Sequence, residues 1–236
     1  TAFRFGMAYW ASMPGKHILL TGSQRLLQRP IDPLVSALKQ MGASLHRVDH
    51  GWQIAGQPLS GGRIDMAMNV SSQFASALLL IEPRMAEPLI LPDMSDMVSL
   101  PYVQMSQWVN PETWPPEPDW SSASYWYAIK ALGYSGKIFL KGLKKDSVQG
   151  DACIAKLMEN YGVQTIYHAD GIEIISGSIC KEPLLIDCID CPDLAPTLIA
   201  TAAAMRLPYR FTGLQTLAHK ESNRTEALRI ELAKIG

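Results

Sequence analysis

Lys220-Glu221-Ser222-Asn223-Arg224 sets two cations beside a carboxylate in one short stretch. Such a set suits an anion pocket with a proton-transfer group at hand. It equally suits an exposed helix start capped by Asn223 and Glu226. Asp193 follows Pro192 where an apolar run opens. A carboxylate there can cap a helix or act as a general base. Ser71-Ser72-Gln73 stands where a strand-like run at 63–68 gives way to residues rich in Ala and Leu. A helix beginning there offers unpaired N–H groups and a partial positive charge, a seat for an anion, or simply a capped end. Arg25 and Arg29 flank a loop just after Gly22. Arg grips carboxylate or phosphate with two prongs, or stands solvated on a surface.

These residues need elements to hold them, and the elements repeat. Lys16 to Gly22 reads as a buried strand ending on Gly, followed by a polar loop. Pro30 suits the first position of the next helix, which Gly42 ends. Lys137 to Gly142 repeats the strand, with a polar loop at 143–151 and a helix to Gly162. Tyr209 to Gly213 begins a third copy whose helix runs toward Gly236. Counting back from each final Gly, the apolar positions coincide: Met41, Tyr161 and Ile235, then Leu38, Met158 and Leu232, then Leu34, Ile154 and Leu228. Those offsets keep to one helix face, and copies in register make an internal repeat.

A second kind of helix precedes each copy, apolar nearly all round and therefore expected inside. Its openings are Thr1, Asp119 (read as a cap), Asp193 and, as a fourth member with its own strand at 89–91, Ser71. Short strands close the unit, as at 44–47 with 51–54 and 164–167 with 172–175. Trp120, Tyr125, Trp126 and Tyr127 read as core, since no basic face accompanies them. The Pro-rich stretch 110–118 breaks regular structure and is read as a boundary near Glu117, giving domains 1–117 and 118–236, with a surface loop inside one domain as the rival reading. The unit before it lacks a full second helix after Tyr102.

With 236 residues, 47% of them hydrophobic, the chain can build a substantial core. Net charge is −1, which supplies no global field toward nucleic acid or an acidic membrane. Cys153, Cys180, Cys188 and Cys191 show neither a disulfide framework nor a zinc-ribbon spacing, and the single histidines have no metal-ligand spacing. The cysteines read as reduced, in a cytoplasmic protein without a membrane span. The opening at Thr1, directly in an apolar segment, reads as a fragment or a trimmed chain.

As a set, these stretches resemble the 5-enolpyruvylshikimate-3-phosphate synthase family. Thr1-Ala2-Phe3-Arg4 is similar to the end of one family signature, and residues 22–31 to a second. Val70 to Phe74, Val98-Ser99-Leu100-Pro101-Tyr102, Asp119 to Tyr125, Pro192-Asp193 and Lys220 to Arg224 resemble further blocks in the family's order. The resemblance implies an α/β (in some schemes α+β) prism, an inside-out α/β barrel of repeated βαβαββ units in two similar domains, both incomplete here. It implies transfer of the enolpyruvyl group of phosphoenolpyruvate to the 5-hydroxyl of shikimate 3-phosphate, with release of phosphate.

Carried over by position, Ser71, Ser72, Gln73, Ser99, Tyr102, Asp193, Thr216 and Lys220 would hold shikimate 3-phosphate. Arg25, Gln73 and Arg224 would hold phosphoenolpyruvate. Asp193 would be the base on the shikimate hydroxyl, Lys220 would sit near the reacting carbon, and Glu221 would take part in proton transfer at the methylene. No cofactor or metal is implied, and a cytoplasmic monomer without nucleic acid or membrane partners is expected. Members of the family are longer at both ends and between Tyr102 and Asp119. Asn223 stands where Asp is usual, and Thr216 where Asn is usual. A sister enzyme acting on a UDP-amino sugar, and a shikimate-phosphate binder without turnover, are the alternatives. The sister uses a Cys in its phosphoenolpyruvate loop, and no Cys precedes Cys153 here.

Overall fold

The computed structural model describes residues 2–66, 72–94, 97–108, 116–220 and 222–234. The chain divides into two compact units, Thr1–Trp108 and Val109–Gly236. The Pro-rich stretch lies mostly outside the described residues. Glu117, near which the sequence places the boundary, bonds within the second unit, accepting from Trp120 Nε1 at 3.2 Å and Ser147 Oγ at 2.9 Å.

In the first unit the order is α1 (Ala2–Ala11), β1 (His17–Thr21), α2 (Gln24–Leu27), α3 (Asp32–Gln40), β2 (Ser44–Val48) and β3 (Gly51–Ala55). Then come β4 (Gly62–Arg63), α4 (Ser72–Leu79), β5 (Leu89–Ile90) and α5 (Leu100–Trp108). The hairpin β2–β3 folds back so that β3 lies between its neighbours, in the antiparallel order β1-β3-β2. β4 and β5 are parallel, with α4 as their crossover.

α3 buries Leu34, Val35, Ala37 and Leu38 and exposes its polar side. It ends in a Schellman pair: Gly42, at φ 95°, donates to Lys39 O and Ala43 donates to Leu38 O. Pro33 rather than Pro30 occupies the first turn of α3, because residues 24–27 of the expected loop form α2, capped by Ser23 accepting from Leu26 N. The core gathers Met7, Leu34, Leu38, Leu45, Ile54, Phe74 and Leu78, each at most 2% exposed. Truncating Leu38 to Ala there costs about 2–5 kcal/mol.

The second unit repeats the plan with α6 (Trp120–Ala131), β6 (Ile138–Lys141), α7 (Ile154–Leu157), β7 (Tyr161–His168) and β8 (Gly171–Ile179). It continues with β9 (Leu184–Asp187), α8 (Ala195–Ala204), β10 (Tyr209–Thr212) and α9 (Arg224–Ala233). The sheet order β6-β8-β7 copies β1-β3-β2, and β9 and β10 are parallel across α8 as β4 and β5 are across α4. Single 3-10 turns flank α7 on both sides. Asp119 caps α6, accepting from the backbone N–H of Ser121 and Ser122. Burial raises its pKa, but hydrogen bonds from Ser122 and Ser121 outweigh that and hold it below the usual value.

The structure corrects several further expectations. The expected helix to Gly162 is α-helical only over Ile154–Leu157, and after a 3-10 turn Tyr161 and Gly162 already belong to β7. β1, expected buried, alternates exposed and half-buried positions and has no buried residue. The unit before the Pro-rich stretch does have its second helix, α5, entered through Ser99 and with Pro101 in its first turn. α6 is not interior all round: Trp120 and Tyr127 are fully buried, while Tyr125, Trp126, Ile129 and Leu132 are exposed. The residues seven apart share the core face, and the others fall off it. In the third copy Leu228 and Leu232 are only half-buried and α9 has no buried residue, because no strand pair packs over it among the described residues. Residues 143–151 are not all loop, since a 3-10 turn starts at Gly150. Ile235 and Gly236 lie outside the described residues.

Candidate active site

The expected residues fall into two groups, one in each unit. In the second unit the turn after β10 bends on Gly213, at φ 73°. A Cβ there would meet the backbone of Ile189 at 2.2 Å, so only Gly lets the strand end approach the segment before Asp193. A 3-10 turn at Gln215–His219 then leads to Lys220, and Asn223 caps α9 by accepting from Glu226 N. Chain direction is thereby fixed at both flanks of the basic loop.

The Asp193 carboxylate accepts from Lys220 Nζ at 3.0 and 3.2 Å, and from Arg224 at 3.1 Å. Asp193 sits in a 3-10 turn, Pro192–Leu194, and neither that turn nor α8 has a side-chain cap bond. The capping role weighed for Asp193 is therefore not the one it takes here. Lys220 is the more enclosed of the cations, its side chain 18% exposed against 34% for Arg224. A cleft of about 350 Å³, a size that suits a small metabolite, opens on Asp193, Arg224, Tyr125 and Glu231. Thr216 Oγ1 is buried, with no hydrogen-bond partner among the described residues. Glu221 lies outside the described residues.

In the first unit, Ser72 and Gln73 form the first turn of α4, and Ser71 lies outside the described residues. Ser76 Oγ donates to Tyr102 O at 3.4 Å, so the middle of α4 meets the first turn of α5. Ser99 enters α5 at φ 63°, in the left-handed region, and is buried. For a residue other than Gly that backbone costs about 1–3 kcal/mol and marks a place worth functional attention. Tyr102 is half-buried on α5, and Arg25 stands exposed on α2.

Two features escaped the sequence reading. Arg4, in α1, reaches Gln73. Tyr125, read there as core, lines the Asp193 cleft. An Arg inside an otherwise apolar helix was the available signal for the first, and the seven-residue spacing of Trp120 and Tyr127 for the second. Among the described residues no group of three or more His, Cys, Asp or Glu could hold a metal ion, and no helix is long and apolar enough to cross a membrane.

The sequence matches the family model described as EPSP synthase (3-phosphoshikimate 1-carboxyvinyltransferase) in two pieces, residues 1–109 and 103–236. A 3-phosphoshikimate 1-carboxyvinyltransferase of Bacteroides fragilis is 40% identical over 263 residues, covering all of this chain and 64% of the relative. The match is longer than the 236 residues here, so the relative carries segments that this chain lacks. One from Syntrophobacter fumaroxidans is 31% identical, covering 91% of this chain and 57% of its own. The chain thus spans about three-fifths of the curated relatives it matches. The solved EPSP synthase of Acinetobacter baumannii superposes with a TM-score of 0.61 at 19% identity, covering 97% of this chain and 58% of that one. That likeness gives the fold: the α/β architecture of the enolpyruvyl transferases. On the family match and these identities, the chain belongs to the EPSP synthase family.

Proposed function

We propose that the protein transfers the enolpyruvyl group of phosphoenolpyruvate to the 5-hydroxyl of shikimate 3-phosphate and releases phosphate. The observation that carries this reading is the Asp193 carboxylate held between Lys220 and Arg224 at 3.0–3.2 Å, at the mouth of a cleft, in a chain of this family. The shikimate hydroxyl oxygen bonds to C2 of phosphoenolpyruvate while its proton passes to Asp193. The methylene carbon takes a proton, for which Glu221 is the donor assigned by position. The C2–O bond to phosphate then breaks, the new methyl group returns a proton, and the enolpyruvyl ether remains. Positioned acids and bases suit both proton transfers, and fixed cations offset the substrate charge.

The resting pairing fits that sequence of events. Arg224 recognises carboxylate or phosphate as readily as it does Asp193. An incoming phosphoenolpyruvate takes Arg224 from Asp193 and leaves the carboxylate with one cation instead of two. Ser72, Gln73, Ser99 and Tyr102, with Ser71, seat shikimate 3-phosphate at the openings of α4 and α5, and Arg25 and Gln73 serve phosphoenolpyruvate. Thr216 adds its hydroxyl to the shikimate 3-phosphate site. The four free cysteines support a reducing, cytoplasmic setting, and the near-zero net charge supports the absence of a nucleic-acid or membrane partner. Phosphate release on mixing both substrates with the full-length enzyme tests the reading. No release, with neither substrate bound, rejects it.

A further inference from the structure

Arg4 is a cation buried in an apolar helix, 8% exposed, on the face that also buries Met7, Ala8 and Ala11. Burying a charge is costly unless polar partners meet it, and an apolar residue of similar volume would avoid that cost. Its partners are specific. Nη1 donates to Gln73 Oε1 at 2.9 Å, Nη2 donates to Pro30 O at 3.0 Å, and the guanidinium lies 4.6 Å from the Phe74 ring centroid. Pro30 anchors one prong on the backbone and Phe74 supports the flat face, so the other prong points at Gln73 in a fixed direction. Guanidinium has donors only, so the Gln73 atom that meets it is the amide oxygen. The amide is planar, and its NH₂ edge is then turned away from Arg4.

We infer that Arg4 is a positioning residue that sets the amide orientation of Gln73, so that Gln73 presents donors rather than an acceptor to an anionic substrate. This rests on the proposal that Gln73 touches the substrates. Arg4 acts through Gln73 and not on substrate: the space among Phe3, Arg4, Leu26, Arg29, Pro30 and Ile31 is about 10 Å³, room for one water and no more.

The test uses the full-length enzyme and two readouts. Arg4→Met keeps an apolar stem over Phe74 and removes the prongs. It should lower kcat/KM for phosphoenolpyruvate by about 10- to 100-fold, the worth of a hydrogen bond to a charged group. Gln73→Ala should do the same, and the double variant should fall within about threefold of Gln73→Ala alone, because one effect runs through the other. Effects that multiply in the double variant overturn the inference. Independently, the Gln73 side-chain amide should be rigid by ¹⁵N relaxation in the parent and mobile in Arg4→Met; an amide that stays rigid also overturns it. If Arg4→Met does not fold, Arg4→Lys, which keeps the charge but loses the fork, should show the same loosening. If the parent transfers no enolpyruvyl group, the functional reading fails, while the amide measurement still decides the positioning.

Discussion

Replacing Asp193 with Asn separates a chemical role from a structural one, because the two predict effects of different size. Asn keeps the shape and can still accept one hydrogen bond, but it neither carries the charge nor takes a proton. The pairs it loses are partly exposed, with the Asp193 side chain 35% accessible, and such pairs contribute about 0–1 kcal/mol each. Stability should therefore fall by at most about 2 kcal/mol, no more than a few degrees in Tm. A positioned base contributes about 10²–10⁴ in rate, or roughly 3–5 kcal/mol of barrier. In the full-length enzyme Asp193→Asn should bind both substrates within about tenfold, ~1.4 kcal/mol, while kcat falls by about 10²–10⁴. Phosphate release under saturating substrates gives kcat, fluorescence titration gives affinity, and a thermal melt gives stability. Near-normal kcat with a lowered Tm would refute the assignment of Asp193 as the base.

Other outcomes follow from the geometry. Ser99→Gly relieves the strain of the positive φ and removes the small hydroxymethyl side chain, so Tm should hold or rise while shikimate 3-phosphate binding weakens about tenfold, by calorimetry; unchanged affinity would leave Ser99 without a binding role. Changing Ser71 and Ser72 together to Ala should weaken that binding by far more than the roughly 1 kcal/mol of stability that a lost cap costs. The 236-residue chain alone should release no phosphate from the two substrates, since it spans only 64% of its Bacteroides relative, and the coupled assay checks this. The second unit should weaken in alkali. The Cys188 pKa is raised by its bond with Cys191 and by burial, and that of Cys191 by its bond with Cys153 and by burial, which together outweigh the lowering effect of its bond with Cys188. Burial raises Tyr127 and Tyr161, and raises Tyr209 to about 12. Groups raised on folding give stability that is complete below their unfolded values, 9.0 for the thiols and 10.0 for the phenols, and that is lost as pH climbs toward the folded ones. Thermal melts from pH 8 to 11 should show a falling transition for this unit; a flat one would contradict the sign.

The repeat was legible because apolar residues three and four apart point into one core, although in the second copy Tyr161 takes its buried place from β7 and not from a helix. Leu34, Leu38 and Met41, and Ile154, Met158 and Tyr161, are at most 1% exposed in the first two copies. The same spacing in α9 names a face but not what covers it, and Leu228 and Leu232 stay half-buried. α2 is four residues long, too short to carry a period. α5 begins from a left-handed Ser99, which no pattern of apolar residues announces. In α6 the sequence is apolar on all sides and so gives no orientation, and the core took the Trp120–Tyr127 face.

The site was legible in another way, through position within the repeat. Asp193 and the Ser72–Gln73 pair open the helices α8 and α4, and Arg25, Lys220 and Arg224 follow strand-ending glycines. The equivalent places around α6 and β6 show that position alone does not make a site. There Asp119 caps its own helix, and Ser121 Oγ donates to buried Asp151. Those groups are taken up by their own helix start. Around Asp193 the arrangement differs: the carboxylate shares two cations on a cleft instead of capping a helix. The same point of one repeat thus serves as a staple in one copy and as a candidate site in the next. What separates the two uses is the partner each carboxylate meets, the N–H groups of its own helix start for Asp119 and the cations of the loop before α9 for Asp193, a three-dimensional pairing that no sequence spacing encodes.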